Sequence, residues 1–254
     1  MDELGLHRRL LCGWMGLALA VFVALFFWTA PYGRHGRRGW GVTVGDRVGW
    51  VLMEAPAALA LPLCFALRQR PAVALDWVWL ALWESHYLYR AFVYPELRRT
   101  ARRPMPFSVV AMGALFNGVN GYLNGRYLFT LASPYPLSWL GDARFICGVL
   151  LFIGGFGAHA WSDRRLRALR TPGQNVGYRI PQGGLFRWVS CPNYLGEIVE
   201  WCGWALATWS LAGLSFAVWT VANLAPRARA HHRWYRARFS DYPSDRKALL
   251  PWLW

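Results

Sequence analysis

The chemistry of this sequence has to be sought in the ionisable side chains set inside its apolar stretches. Glu54 stands in residues 48–67 as their only charge, two positions before Pro56. An acid at membrane depth costs roughly 2.5–3.5 kcal/mol on insertion scales, so one retained there is a functional candidate by default. The competing reading makes Glu54 an ion-pair partner for a neighbouring arginine near the interface, a few residues in from Arg47. Tyr87 follows His86, with Arg90 one turn later. A phenol at mid-span needs a hydrogen-bond partner, although a lone tyrosine there also serves for packing. Glu197 and Glu200 are three apart and share a helix face. Two acids on one face repel unless a cation lies between them or one is protonated. Either they belong to a site or they form structural ion pairs with basic loops.

The densest constellation runs from Asp163 to Glu200. Asp163 and the arginines Arg164, Arg165, Arg167 and Arg170 leave an apolar segment as a basic helical extension. A Thr171-Pro172-Gly173 break follows, then a loop, Tyr178 to Phe186, carrying the adjacent glycines Gly183 and Gly184. Asn193, just after Pro192, is placed as an N-terminal cap for the next helix, and a helix N-terminus welcomes phosphate. Guanidinium groups supply bidentate phosphate contacts. The tail adds His231, His232 and Tyr235 beside further arginines. Together these form an anion site large enough for a nucleotide cofactor. Solvated loop arginines account for the charge but not for Asp163, Asn193 and the histidines.

Positioning such residues falls to membrane helices. Only 16% of the chain is charged, against about a quarter in soluble domains, and it carries 17 tryptophans, a residue that favours membrane interfaces. About 20 apolar residues cross a bilayer core. Stretches at about 10–30, 48–67, 72–94, 105–130 and 144–161 each read as one crossing. The apolar run from about 194 to 226 is too long for one and turns most easily near Ser210–Gly213, giving 194–210 and 211–226. The first stretch exceeds a usual signal-peptide core, and Trp28–Tyr32 reads as an interfacial anchor rather than a cleavage site. The expectation is an all-α integral membrane protein, a single domain over 1–254 with seven transmembrane helices.

Charge placement tests that count. Seven crossings sort twenty-two basic residues to one side and five (Arg8, Arg9, Arg68, Arg70 and Arg144) to the other, with Arg126 left over near a span end. The positive-inside rule then puts the C-terminus in the cytoplasm and the N-terminus outside. The net charge of +15 thus reports topology, and nucleic acid is not expected as a partner, since no soluble domain exists to carry a groove. Five cysteines without CxxC or zinc spacing predict neither a metal site nor a disulfide framework. Gly154-Gly155-Phe156-Gly157 reads as helix packing rather than a dinucleotide fingerprint. No transporter-type repeat is evident. Lys247 is the single lysine beside twenty-seven arginines, which suggests a GC-rich, bacterial genome.

Three long segments make the sequence familiar. Residues 178–186 (YRIPQGGLF), 193–201 (NYLGEIVEW) and 205–210 (ALATWS), with His231–Tyr235, Asp241–Pro243 and Arg246–Pro251, closely resemble steroid 5α-reductases, the 3-oxo-5α-steroid 4-dehydrogenases. The resemblance runs from about Glu54 to the C-terminus and is closest to the vertebrate type 2 members. It implies NADPH-dependent reduction of the C4–C5 double bond of 3-oxo-Δ4-steroids inside a seven-helix bundle. It also implies that Glu54 and Tyr87 are the catalytic pair, hydrogen-bonding the 3-keto oxygen. By the same resemblance Asp163, Arg170, Tyr178, Arg179, Asn193, Glu197, His231 and Tyr235 contact the cofactor, with Arg103 an addition, and Phe116, Trp201, Phe216 and Leu224 line the apolar substrate pocket. Three positions depart from the family pattern: a glutamine is Met53 here, an arginine is Met112, and a pocket aromatic is Asn223. They bear on substrate preference rather than on the reaction.

The implied mechanism has a physical basis. Hydride delivery at C5 of an enone pushes charge onto its carbonyl oxygen, and donors placed where charge develops lower the barrier most. A carboxyl group kept in an apolar cavity can carry its proton near neutral pH and donate it beside a tyrosine. The resulting enolate takes a proton at C4. A flat apolar substrate would enter from surrounding lipid and NADPH from the basic face, and a monomer suffices. The implied location is the cell inner membrane for a bacterial source and the endoplasmic reticulum for a eukaryotic one. The runner-up is an S-adenosylmethionine-dependent membrane methyltransferase. Pro192-Asn193-Tyr194-Leu195-Gly196-Glu197 also resembles the motif of isoprenylcysteine carboxyl methyltransferases, although that family has no need of Glu54 and Tyr87. A non-catalytic sterol-binding protein is the third class and predicts no nucleotide.

Overall fold

The computed structural model describes residues 2–31, 33–36, 39–97, 104–169 and 178–254. Its α-helices are α1 (Glu3–Phe27), α2 (Asp46–Ala66), α3 (Ala74–Leu88), α4 (Tyr94–Leu97), α5 (Phe107–Arg126), α6 (Ala143–Ala168), α7 (Pro192–Thr208) and α8 (Leu211–Arg238). A π-helical turn, Tyr89–Val93, joins α3 to α4 without a break, and another, Tyr127–Leu131, prolongs α5. Two short strands, β1 (Thr43–Val44) and β2 (Met105–Pro106), pair antiparallel. By length and composition α1, α2 and α6 are apolar enough to cross a membrane. Large apolar side chains such as Leu59, Leu115, Leu150 and Ile153 are exposed on the helix faces, as lipid-facing residues would be. The protein is an all-α membrane protein.

Each expected crossing coincides with a helix, with three shifts at the ends, one of them in α6, which runs to Ala168, past the expected crossing end near 161. The first helix begins at Glu3 rather than near residue 10, and the last continues to Arg238 rather than stopping near Pro226, which lies inside it. Apolar runs mark only what a bilayer core requires. Helices run on where the flanking residues allow it, here largely leucines and arginines before α1's apolar run and arginines and alanines after that of α8. Between α7 and α8 the chain turns where the sequence suggested: Trp209 takes a left-handed φ of 44°, and the Ser210 hydroxyl caps α8 by accepting from the Gly213 amide at 3.0 Å.

The chain divides into two compact units, one of residues 1–12 and 31–142, the other of residues 13–30 and 143–254. In the first, α2 packs on α5 through small residues repeating every four positions. A Cβ on Gly113 would lie 2.3 Å from Met53 Cγ, one on Gly121 2.8 Å from Ala60 Cβ, and one on Gly125 2.8 Å from Cys64 Cβ. Such a row lets two helix backbones approach closely. At the end of this unit Arg70 grips Asp76 with both terminal nitrogens, at 2.7 and 2.9 Å, and Asp76 also accepts from the Val73 amide that opens α3.

In the second unit α6 and α7 run antiparallel at glycine-limited distance. Gly148 faces Ala207, Gly155 faces Glu200, Gly196 faces His159 and Gly203 faces Phe152; a Cβ on any of the four glycines would meet backbone atoms within 2.6 Å. Of the cluster Gly154, Gly155 and Gly157, only Gly155 performs the packing expected of it; a Cβ on either of the other two would meet nothing within 4 Å. The tail closes this unit by a parallel bridge between Val189 and Lys247.

Candidate functional site

The α2–α5 contact sets the stage for the first cluster. Between Gly113 and Gly121, in the same row, the position is Asn117, and close backbone approach brings its amide onto α2. Asn117 Nδ2 donates to the Met53 carbonyl at 2.7 Å and to Glu54 Oε2 at 3.1 Å. From α3 the Tyr87 hydroxyl donates to Asn117 Oδ1 at 3.3 Å. Glu54, Tyr87 and Asn117 are all buried. Tyr87 packs against the rings of Trp83 and His86, and Trp83 Nε1 donates to the Ala57 carbonyl at 3.0 Å, holding α3 on α2.

Arg90 adds a cation to this cluster. It sits in the π turn directly after α3, where widened backbone geometry re-aims side chains and is frequent at functional sites. Its guanidinium lies over the rings of Trp50 and Tyr94, 4.5 and 5.0 Å from their centroids, with Nε 3.6 Å from Glu54 Oε1. Its carbonyl accepts from Trp50 Nε1 at 2.9 Å. The arginine partner of Glu54 is therefore Arg90, whereas Arg47 pairs with Glu96. Phe116 is half-buried on α5 beside Asn117. Of the two departures in this unit, Met53 fills the space over Gly113, and Met112 is exposed on α5.

The second cluster grows from the α6–α7 register. Because Gly155 sits on Glu200 and His159 on Gly196, continuing the register sets Asp163 beside Asn193. Asn193 Nδ2 donates to Asp163 Oδ1 at 3.2 Å. The N-cap of α7 is Cys191 and Pro192 takes the first turn, so Asn193 is not the cap that the sequence suggested. Its amide is used between helices because a residue already inside the helix points sideways, away from the N-terminal amides. His159 stands between the acids, with Nδ1 3.2 Å from the Asn193 carbonyl and 3.5 Å from Glu197 Oε2, and Nε2 3.7 Å from Asp163 Oδ2. Glu197 and Glu200 do not share one environment: Glu200 is fully buried against Gly155, while Glu197 faces His159.

Next to Asn193, the Tyr194 hydroxyl lies 3.0 Å from His231 Nε2 and accepts from Arg227 Nε at 3.2 Å, so α7 meets α8 through a polar triad. Tyr178 packs on Trp234, and Tyr235 stacks on Tyr242 at 5.3 Å, forming an aromatic group at the end of α8. Arg246 holds the glycine-bearing loop by donating to the Pro181 carbonyl and to Gln182 Oε1, both at 3.2 Å. Arg179 is exposed. Arg103 and Arg170 lie outside the described residues. Ser190 Oγ is 2.7 Å from both His232 Nδ1 and the Tyr242 hydroxyl. Burial, helped by Arg236, Arg246 and Lys247, holds the His232 imidazole below its ordinary pKa, and burial pushes the Tyr242 phenol up.

Among the apolar candidates, Trp201 and Phe216 are buried with ring centroids 4.2 Å apart, and Leu224 is half-buried on α8. Asn223 donates back to the Trp219 carbonyl at 3.0 Å, so this departure satisfies its polarity within its own helix. A separate open groove of about 420 Å³ is lined by Gly157, Ala158, Trp161, Gly184, Leu185 and Trp188. No group of three or more His, Cys, Asp or Glu among the described residues has metal-holding geometry.

Sequence reasoning missed Asn117, His159, Tyr194 and Arg227 as members of these clusters. Signals existed for the first two. Asn117, Asn120 and Asn124 put three amides on one face of an apolar span, and His159 precedes Asp163 by one helical turn.

Comparison with known proteins agrees with the residues that carry the resemblance. The family profile described as 3-oxo-5-alpha-steroid 4-dehydrogenase matches residues 103–254. The steroid 5-alpha-reductase DET2 of Gossypium hirsutum is 41% identical over 242 residues, covering 94% of this chain and 93% of the relative. The 3-oxo-5-alpha-steroid 4-dehydrogenase 1 of Bos taurus is 43% identical over 93% of each chain, and that of Homo sapiens 42% identical over 97% of this chain and 96% of its own. These vertebrate relatives carry the number 1 rather than 2. All three are eukaryotic, which speaks against the bacterial source suggested by the arginine excess; that bias follows base composition, which is not confined to bacteria.

Proposed function

From the premise that the chain belongs to the 3-oxo-5-alpha-steroid 4-dehydrogenase family, oxidoreductases acting on CH–CH groups, we propose that it reduces the C4–C5 double bond of 3-oxo-Δ4-steroids with NADPH. The observation that carries this reading is the buried cluster in which Glu54 and Tyr87 meet on one amide. Full-length similarity to named reductases counts against the methyltransferase alternative.

Tyr87 has a hydroxyl that already donates in the free protein, and it donates to the substrate's 3-keto oxygen when that oxygen arrives. Glu54, the acid of the proposed pair, accepts from Asn117 at Oε2, and Oε1, 3.6 Å from Arg90 Nε, is the oxygen left to act on the substrate. Two donors aimed where negative charge develops stabilise the enolate more than the enone, which is what speeds the reaction. NADPH, when bound, supplies the hydride taken up at C5. By the resemblance, Phe116 in the first unit and Trp201, Phe216 and Leu224 in the second are each assigned to apolar contact with the substrate.

The residues of the second cluster suit a dinucleotide. Glu197 Oε2 is buried and accepts no hydrogen bond among the described residues, standing 3.5 Å from His159 Nδ1. It retains acceptor capacity for a sugar hydroxyl. Asp163 and Asn193 together offer an acceptor and an amide, and His231, Tyr178, Tyr235, Arg170, Arg179 and Arg103 complete the proposed set, the arginines for phosphate. The seven helical rods are proposed to cross the membrane as one domain, N-terminus outside and C-terminus cytoplasmic, in the endoplasmic reticulum, which the eukaryotic relatives favour.

The test is direct: purified protein in detergent, NADPH and a panel of 3-oxo-Δ4-steroids, with products resolved by chromatography. The 5α-reduced 3-oxosteroid is expected. No product from any member of the panel, with intact folded protein, overturns the reading.

A further inference from the structure

The buried amide of Asn117 has three hydrogen bonds, and their directions are not interchangeable. Nδ2 is 2.7 Å from the Met53 carbonyl, a group that can only accept. Turning the amide over would set Oδ1 against that carbonyl, two acceptors face to face in a buried site. The backbone of α2 therefore fixes which end of the amide faces which neighbour. With Nδ2 committed to Met53 and to Glu54 Oε2, Oδ1 must face Tyr87. An amide oxygen cannot donate, so the Tyr87 hydroxyl has to.

We propose that Asn117 is a positioning residue that sets Tyr87 as a donor and Glu54 Oε2 as an acceptor before substrate binds. The inference rests on the reading of Glu54 and Tyr87 as the pair that polarises the substrate carbonyl. Asn117 Oδ1 holds the phenolic proton in the free protein; on binding, the hydroxyl turns about its C–O bond from Oδ1 to the substrate oxygen, so that it is already in place as a donor before charge develops. Preorganisation of this kind lowers the barrier because no dipole has to turn as charge develops. The amide also ties α5, α2 and α3 together at one point. The Gly113, Asn117, Gly121 and Gly125 row supplies the close approach that makes so short a side chain long enough.

Asn117→Leu removes donor and acceptor at similar size, and Asn117→Ala removes them without added bulk, should leucine not fold. Turnover is expected to fall about 10²-fold, the scale of a small misplacement of reacting groups. KM for steroid and affinity for NADPH should change little, because the amide touches neither. In a Tyr87→Phe background most of the loss should disappear, since the two residues act as one unit. A second readout needs no activity. The tyrosine Raman doublet, taken as the difference between wild type and Tyr87→Phe, reports hydroxyl donation from Tyr87 and should weaken when Asn117 is replaced. An unchanged doublet overturns the proposal whatever the turnover, and so does a loss of turnover just as large without the Tyr87 hydroxyl. If wild-type protein reduces no 3-oxo-Δ4-steroid, the catalytic reading fails, and the Raman difference still decides whether Asn117 sets the polarity of Tyr87.

Discussion

Asn193 on α7 donates its amide to Asp163 Oδ1 on α6, 3.2 Å away, across the tightest helix contact of the C-terminal half. Neither residue is near the other in sequence. Removing the amide takes a donor away from a buried carboxylate oxygen and is expected to disturb the proposed cofactor site first. Asn193→Ala should weaken NADPH binding roughly 10–100-fold, the range of a hydrogen bond to a charged group. Fluorescence energy transfer from protein tryptophans to NADPH measures this. Equal affinity in the two proteins would remove Asn193 and Asp163 from the cofactor site.

Glu54→Gln keeps size and one donor but loses the acid, and Tyr87→Phe deletes a single hydroxyl. Each should cut turnover by roughly 10²–10³-fold, the scale of losing one oxyanion donor, with NADPH affinity nearly intact. Combined, the losses should be less than additive. If Glu54 serves only as the ion-pair partner of Arg90, Glu54→Gln will instead lower thermal stability while the surviving folded protein turns over normally. Melting curves measured beside steady-state rates separate the two.

Gly155→Ala would place a Cβ 2.4 Å from the Glu200 amide nitrogen and 2.6 Å from the Gly196 carbonyl. Backbone cannot move aside cheaply, so α6 and α7 must part, at a cost of about 1–3 kcal/mol for overpacking. Thermal denaturation should register it. Gly157→Ala, which meets nothing within 4 Å, is the control and should melt like the wild type.

His232 predicts how stability follows pH. Its pKa is lower in the folded protein than in the unfolded chain, because burial and then Arg236, Arg246 and Lys247 disfavour the charged ring. The unfolded chain therefore binds the extra proton first as pH falls below about 6.5. The penalty is absent well above that value, grows as pH drops through it, and levels off below the folded pKa. Melting temperature should fall on acidification from about pH 7.5 to about pH 5.5, and fall less in His232→Gln, which cannot titrate. Parallel curves for the two proteins would remove His232 as the cause.

Topology has its own test. By the positive-inside rule, the twenty-two-to-five sorting of basic residues over seven proposed spans predicts a cytoplasmic C-terminus. A C-terminal reporter active only in the cytoplasm should be active, and activity from a reporter that works only after export would sink the seven-span arrangement.

The sequence alone determined where helices must be, because apolar length is a local quantity that is legible without any tertiary contact. It marked Glu54 and Tyr87 because ionisable groups inside apolar spans are costly enough to stand out. The turn at Trp209–Ser210 was legible for a similar local reason, an apolar run too long for one crossing. Tertiary structure alone decided what those groups touch. Asn117 became the link between Glu54 and Tyr87 only through the register of α5 on α2, and His159 came to stand among Asp163, Asn193 and Glu197 only through that of α6 on α7. Asn193 looked like a helix cap because capping residues are recognised by type and neighbourhood, yet a two-residue shift in where α7 begins turns its amide from the helix end to the adjacent helix. Such registers are set by close contact of glycine-bearing faces summed along whole helices, a quantity that no single stretch of sequence contains.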